Sequence, residues 1–153
     1  MPSPTPDTNP DGAAGASQEL TRTPLYGERA IAEAELICFE NPRPGRSYEI
    51  SIDFPEFTCR CPFSGYPDFA ELRLVYQPGP RVMELKALKL YIWSFRNEGH
   101  YFERATNRIA DDLIKAMKPR KLVVIGRYNV RGGITSQCVV KYEKPSAAKR
   151  RRS

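Results

Sequence analysis

Histidine is almost missing from this chain: one residue, His100, in 153, beside four cysteines and one tryptophan. A zinc site built from Cys and His ligands therefore has little to draw on. Cys38, Cys59, Cys61 and Cys138 form no C-x-x-C pair, which reads as free thiols rather than a disulfide framework. No stretch approaches the roughly 20 apolar residues of a membrane span. Residues 1–27 lack the basic start and apolar block of a signal peptide. No G-x-G-x-x-G follows a strand pattern, so a Rossmann dinucleotide site is not expected. These absences point to a cytoplasmic enzyme or binding protein with no metal and no membrane partner.

What is present fits one domain. Apolar residues make up 41% of the chain, with eight Tyr and seven Phe, enough for a single core. The net charge of +6 is uneven. Residues 144–153 carry five bases and no acid, whereas residues 1–33 carry five acids and two bases. Much of the basicity thus sits in a tail, which weakens an argument for direct nucleic-acid binding. The expected organisation is a disordered tail over 1–33, a folded domain over 34–143 and a loose basic tail over 144–153.

The hydrophobic period changes along the domain in a readable order. Leu36 to Phe39 is a short apolar run, and Tyr48, Ile50, Ile52 and Phe54 alternate with polar residues as in a half-buried strand. A third strand is expected near Phe69 to Tyr76. Leu85, Leu88, Ile92 and Phe95 then fall on one helical stripe, which stops at Asn97-Glu98-Gly99. Phe102, Ala105, Ile109, Leu113 and Met117 define a second helix, closed by Pro119. Leu122 to Val130 and Ile134 to Tyr142 are expected strands joined by a turn at Arg131-Gly132-Gly133. Grouped strands and grouped helices predict an α+β layer, an antiparallel sheet with two helices on one face. Open sheet edges favour association into a ring or barrel.

Three segments can carry chemistry. Cys61 precedes Pro62, and Asp68 follows seven residues later across a Ser-Gly turn. A thiolate is a soft nucleophile for a carbon such as that of a nitrile, and a carboxylic acid can protonate the nitrogen that results. The bland alternative is a buried thiol and an acid that merely opens a strand. Lys86, Lys89, Trp93 and Arg96 make a basic stripe with an indole in it, suited to phosphates and a stacked ring, or simply a solvated helix face. Glu103, early in the second helix, can accept two N–H donors from a guanine-like edge, or be an ordinary first-turn acid.

Together these segments resemble the NADPH-dependent 7-cyano-7-deazaguanine reductases, the nitrile reductases of queuosine biosynthesis. Three blocks carry the resemblance: Glu56 to Ala70, Glu84 to Asn97 and Arg131 to Ile134. It extends over about Glu35 to Tyr142, and the length fits the short, single-module subfamily. The resemblance implies the tunnelling fold, β-β-α-α-β-β protomers that close into barrels, shared with GTP cyclohydrolase I. It implies Cys61 as the nucleophile of a covalent thioimide, Asp68 as proton donor, and two NADPH per nitrile. It also implies Glu103 reading the deazaguanine edge beside Phe102, Met83, Glu84 and Leu85 touching substrate, and sites between subunits of a homo-oligomer. The Lys86, Lys89 and Arg96 stripe is the surface expected to meet the cofactor's phosphates.

One position departs from the family pattern. Members often carry His directly before the substrate-reading Glu, where this chain has Phe102; His100 stands two residues earlier and is assigned no catalytic proton. Two other functions fit parts of the sequence. A related enzyme acting on a pterin or guanine derivative, such as a cyclohydrolase, would need zinc ligands that one His hardly supplies. An RNA-binding module would rely on the basic C-terminal tail.

Overall fold

The structure is a computed structural model, and it describes residues 23–145. The elements run α1 (Tyr26–Ala32), β1 (Cys38–Glu40), β2 (Ile50–Arg60), β3 (Pro67–Gln77), β4 (Arg81–Met83), α2 (Leu85–Ser94), a 3₁₀ turn (Phe95–Asn97), α3 (Phe102–Met117), β5 (Lys121–Arg131) and β6 (Ile134–Glu143). Four strands form an antiparallel sheet in the order β2-β3-β5-β6, and β1 pairs with β4 in a separate ribbon. Both long helices lie between β3 and β5 in sequence, so the expected α+β architecture stands.

Alternation along the strands decides which face meets the helices. Ala70, Leu72, Leu74 and Tyr76 of β3 are buried, as are Leu122, Val124 and Tyr128 of β5. They form one core with Leu88, Ile92 and Phe95 and with Ile109, Leu113 and Met117 of α3. The opposite face of β3, with Phe69, Glu71 and Arg73, is exposed.

Strand β2 keeps its inward face by means of a break. Its register with β3 shifts between Phe54 and Phe57, where two residues stand against one. Pro55, which has no N–H to donate, lies in that bulge on an edge strand. Ile50, Ile52 and Phe54 point inward before it, and Phe57 and Cys59 are buried after it. Without the extra residue, Phe57 and Cys59 would have turned to the outer face.

Some expectations need correction. Helix α1 falls inside the stretch assigned to a tail; it opens with the Glu28 carboxylate accepting the Leu25 N–H at 2.7 Å. A cleft lined by Tyr26, Arg29, Ala30, Lys86 and Leu90 separates it from α2. Residues 1–22 and 146–153, which hold most of both predicted tails, lie outside the described residues. Leu85, expected in the apolar stripe of α2, is 60% exposed because it is the first helical residue. Tyr91 takes its place in the core, its hydroxyl donating to Asp112 at 2.6 Å. Among the described residues no helix is long and apolar enough to cross a membrane.

Helix α3 ends at Lys118, which adopts the left-handed conformation at φ 50°. The Lys118 carbonyl lies directly over Gly79, where a Cβ would collide with the oxygen. Gly79 also accepts a bond from the Asn41 amide at 2.8 Å, so its backbone is not free to retreat. Gly79→Ala should therefore cost about 1–3 kcal/mol in urea unfolding, the usual range for overpacking a tight site. An unchanged midpoint would show that the Lys118 carbonyl moves aside freely.

Candidate active site

Strands β2 and β3 pair so that Cys59 stands opposite Asp68 and Arg60 opposite Pro67. The connection between them is a tight loop. Cys61 N–H bonds to the Tyr66 carbonyl at 2.8 Å, and Gly65 N–H bonds back to the Cys61 carbonyl at 2.9 Å. Gly65 has φ +73°, a conformation that L side chains avoid. The loop thus brings the two predicted catalytic side chains, Cys61 and Asp68, to one end of the sheet.

Arg131 joins them. Its Nη1 lies 3.0 Å from Asp68 Oδ1, and its Nη2 lies 3.5 Å from Ser64 Oγ. Bonds from Ser64, in its hydroxyl and backbone, and then from Arg131 hold the Cys61 thiol down at about 7. Burial pushes Cys59 the other way, to about 11, with Asp68 and Cys61 adding to the rise. Of the two neighbouring sulfurs, only Cys61 is a thiolate to any extent near neutrality. Asp68 is buried and raised above the ordinary carboxylate range by that burial, although Arg131 draws it back. The two groups are thus shifted in opposite senses, the thiol toward its anion and the carboxyl toward its acid form.

The start of α3 lies at the same end. Phe102 stacks on Tyr128 with ring centroids 3.9 Å apart, and the Tyr128 hydroxyl donates to the Phe102 carbonyl at 2.9 Å. Tyr128 in turn pairs with Ala70, two residues beyond Asp68 on the same face of β3. Gly126 permits this approach, since a Cβ there would come within 2.9 Å of Thr106 Oγ1. Glu103 follows Phe102 in the first turn and is exposed.

Met83, Glu84 and Leu85 are elsewhere. The Met83 N–H bonds to the Tyr76 hydroxyl at 3.3 Å, and Tyr76 lies eight residues along β3 from Asp68. That is about 25 Å at a strand's rise per residue. Met83 is buried, and both Glu84 oxygens cap α2 by accepting the Lys86 and Ala87 N–H groups at 2.8 and 2.7 Å. Those two bonds keep Glu84 below its ordinary range. Lys89 Nζ on α2 and Arg96 Cζ in the 3₁₀ turn that follows lie 5.0 and 5.5 Å from the centroid of the Trp93 ring, and Lys86 is exposed a turn before Lys89. The basic stripe with an indole within it is thus real, running along α2 toward the Cys61 end.

Comparison with known proteins decides the family. The model for QueF-like proteins matches residues 67–147. A NADPH-dependent 7-cyano-7-deazaguanine reductase of Synechococcus sp. (strain CC9902) is 65% identical over 119 residues, 78% of this chain and 87% of the relative. The chain belongs to the QueF-like family. A reductase of the same name from Parasynechococcus marenigrum (strain WH8102) is 64% identical over 77% of this chain and 89% of its own length. The apo crystal structure of the archaeosine synthase QueF-Like shares the fold, with a TM-score of 0.59 at 17% identity over 64% of this chain and 96% of that one.

Sequence reading overlooked Arg131 as a site residue in this QueF-like chain. Its block, Arg131 to Ile134, was one of the three that carry the resemblance, but its place before Gly132-Gly133 was read as a hairpin turn and not as a side chain reaching across to another hairpin. Ser64 was likewise read as turn material. Among the described residues no group of three or more His, Cys, Asp or Glu could hold a metal ion.

The ionisations of Cys61 and Asp68 run in opposite senses. Thiolate accumulates as pH rises through about 7, while the acid form of Asp68 is lost as pH rises through its raised value. Iodoacetamide labelling of Cys61, followed by mass spectrometry, should show a midpoint near pH 7. Ser64→Ala and Arg131→Ala should each move that midpoint upward, toward the roughly 8.5 of a free thiol. Variants with an unmoved midpoint would remove both groups from the account of the thiolate.

Proposed function

We infer that this chain is an NADPH-dependent oxidoreductase that reduces the nitrile of 7-cyano-7-deazaguanine to the aminomethyl group of 7-aminomethyl-7-deazaguanine, in queuosine biosynthesis. The observation that carries the reading is the low-pKa Cys61 held by Arg131 beside a buried acid, in a chain 65% identical to a reductase of that name. Cys61 sulfur attacks the nitrile carbon, one C–N π bond opens, and Asp68 delivers a proton to the nitrogen to give a thioimide. Two NADPH molecules would each supply one hydride, the first to the thioimide carbon and the second to the imine that forms when the thiolate leaves, and a second proton, from solvent by way of Asp68, completes the amine. Asp68, once deprotonated, again faces Arg131, which balances its charge between proton transfers. Glu103 is suited to accept N–H groups of the deazaguanine edge, and the Phe102–Tyr128 stack offers an apolar wall beside it.

The split of the site supports a homo-oligomer. Met83 bonds to Tyr76, about 25 Å along β3 from Asp68 at a strand's rise per residue, so a substrate that meets both sets would lie between two copies. The exposed outer face of the sheet and its open edges provide surface for that association. The Lys86, Lys89 and Arg96 charges suit the phosphates of NADPH, with Trp93 beside them for a ring. The cytoplasm is the compartment that goes with this reading.

Intact-protein mass spectrometry with 7-cyano-7-deazaguanine and no NADPH should find one ligand mass on wild type and none on Cys61→Ala. Labelling that survives Cys61→Ala but disappears in Cys59→Ala would move the nucleophile to the other sulfur. In steady-state kinetics, Lys86→Ala and Lys89→Ala should each raise the KM for NADPH about tenfold, roughly 1.4 kcal/mol. Their KM for the nitrile should change little; equal effects on both substrates would detach the stripe from the cofactor.

A further inference from the structure

The one histidine is buried and has no part in the chemistry above. His100 is 4% exposed, behind the end of β2. Its Nε2 lies 2.7 Å from Glu98 Oε2, and Arg108 of α3 donates to the same oxygen at 2.6 Å. The short contact places the ring proton on Nε2, facing the carboxylate. His100 Nδ1 has no hydrogen-bond partner among the described residues. The ring is also held by Phe95, 5.2 Å between centroids, and the Arg108 guanidinium, 5.1 Å from the same Phe95 centroid, has its Nη1 3.3 Å from His100 Nε2. Partial burial pushes Glu98 up, yet the bonds from His100 and Arg108 bring it below its ordinary range.

What this cluster fixes is the backbone of residues 98–100, which grips the chain on both sides of Cys61. Arg60 N–H donates to the Glu98 carbonyl at 3.0 Å, and His100 N–H donates to the Arg60 carbonyl at 2.9 Å. The Cys59 thiol points at the His100 carbonyl, 3.9 Å away, and Gly99 stands against Pro62. Residues 59, 60 and 62 are therefore all referred to one short segment, and that segment is referred to the imidazole.

We propose that His100 is a positioning residue for the nitrile-reducing reaction, its ring locked on Glu98 so that the Glu98–His100 segment sets the place of Cys61. The proposal rests on the reading of Cys61 as the nucleophile. His100→Ala should slow formation of the covalent adduct about 10²-fold, the scale of a misplaced reacting atom. The KM for NADPH should change far less than the adduct rate, because Lys86 and Lys89 lie on α2 and the ring meets only Phe95 at its end. The pH midpoint of iodoacetamide labelling at Cys61 should rise, since the loop loses its register with Ser64 and Arg131. His100→Gln, whose amide can reach Glu98, should recover most of the rate.

A folded His100→Ala protein with wild-type adduct rate and wild-type midpoint overturns the proposal. Should that variant fail to fold, Glu98→Ala removes the same brace from a half-exposed side chain, and a native spectrum with an unchanged rate and midpoint overturns it equally. Absence of any adduct on wild type would instead reject Cys61 as nucleophile, while the labelling midpoint would still report on His100.

Discussion

The Cys61 thiol and the Asp68 carboxyl group sit beside one cation, Arg131. Coulomb attraction to Arg131 lowers the cost of either negative charge, and the site depends on how that attraction is shared. Asp68 is buried, which favours its acid form, whereas Cys61 is open and ringed by donors, which favours the thiolate. Difference in solvation, more than distance to the guanidinium, separates the two roles. Cys59 makes the point from the other side: chemically identical to Cys61 and two residues away, it is buried and stays protonated.

The geometry behind that difference is a single inserted residue. The bulge at Pro55 shifts the period of β2, turning Phe57 and Cys59 into the core and leaving Cys61 at the rim. The Ser64-Gly65 turn then folds the chain back so that β3 begins with Asp68 on the inner face. From the other end of the sequence, Tyr128 brings the start of α3 down to the same rim. The β2–β3 hairpin, the start of the β5–β6 turn and the first turn of α3 meet at this rim.

Most of the architecture was legible because alternation and helical periodicity are local and strong in this chain. Strands β3, β5 and β6 and both long helices follow from their apolar spacing. Helix α1 was not legible, since seven residues with no buried side chain leave no stripe to read. Leu85 was misplaced because periodicity ignores that the first residue of a helix faces solvent as readily as core. At the site, Cys61 and Asp68 could be paired from sequence because they are seven residues apart on one loop. Arg131 could not, since its connection to Asp68 is made through the order of strands. The separation of Met83–Leu85 from Cys61 is likewise a property of strand length, invisible in a motif.

Gly126 gives the rim its dimensions. With no side chain there, Thr106 and Tyr128 close on each other at 2.9 Å, and the Phe102 ring settles flat on the tyrosine. A methyl group at that position would act as a spacer under α3, lifting Phe102 and Glu103 together away from the rim that carries Cys61 and Asp68. The height of the helix over the sheet is thus tunable from beneath, through the thickness of the layer between them.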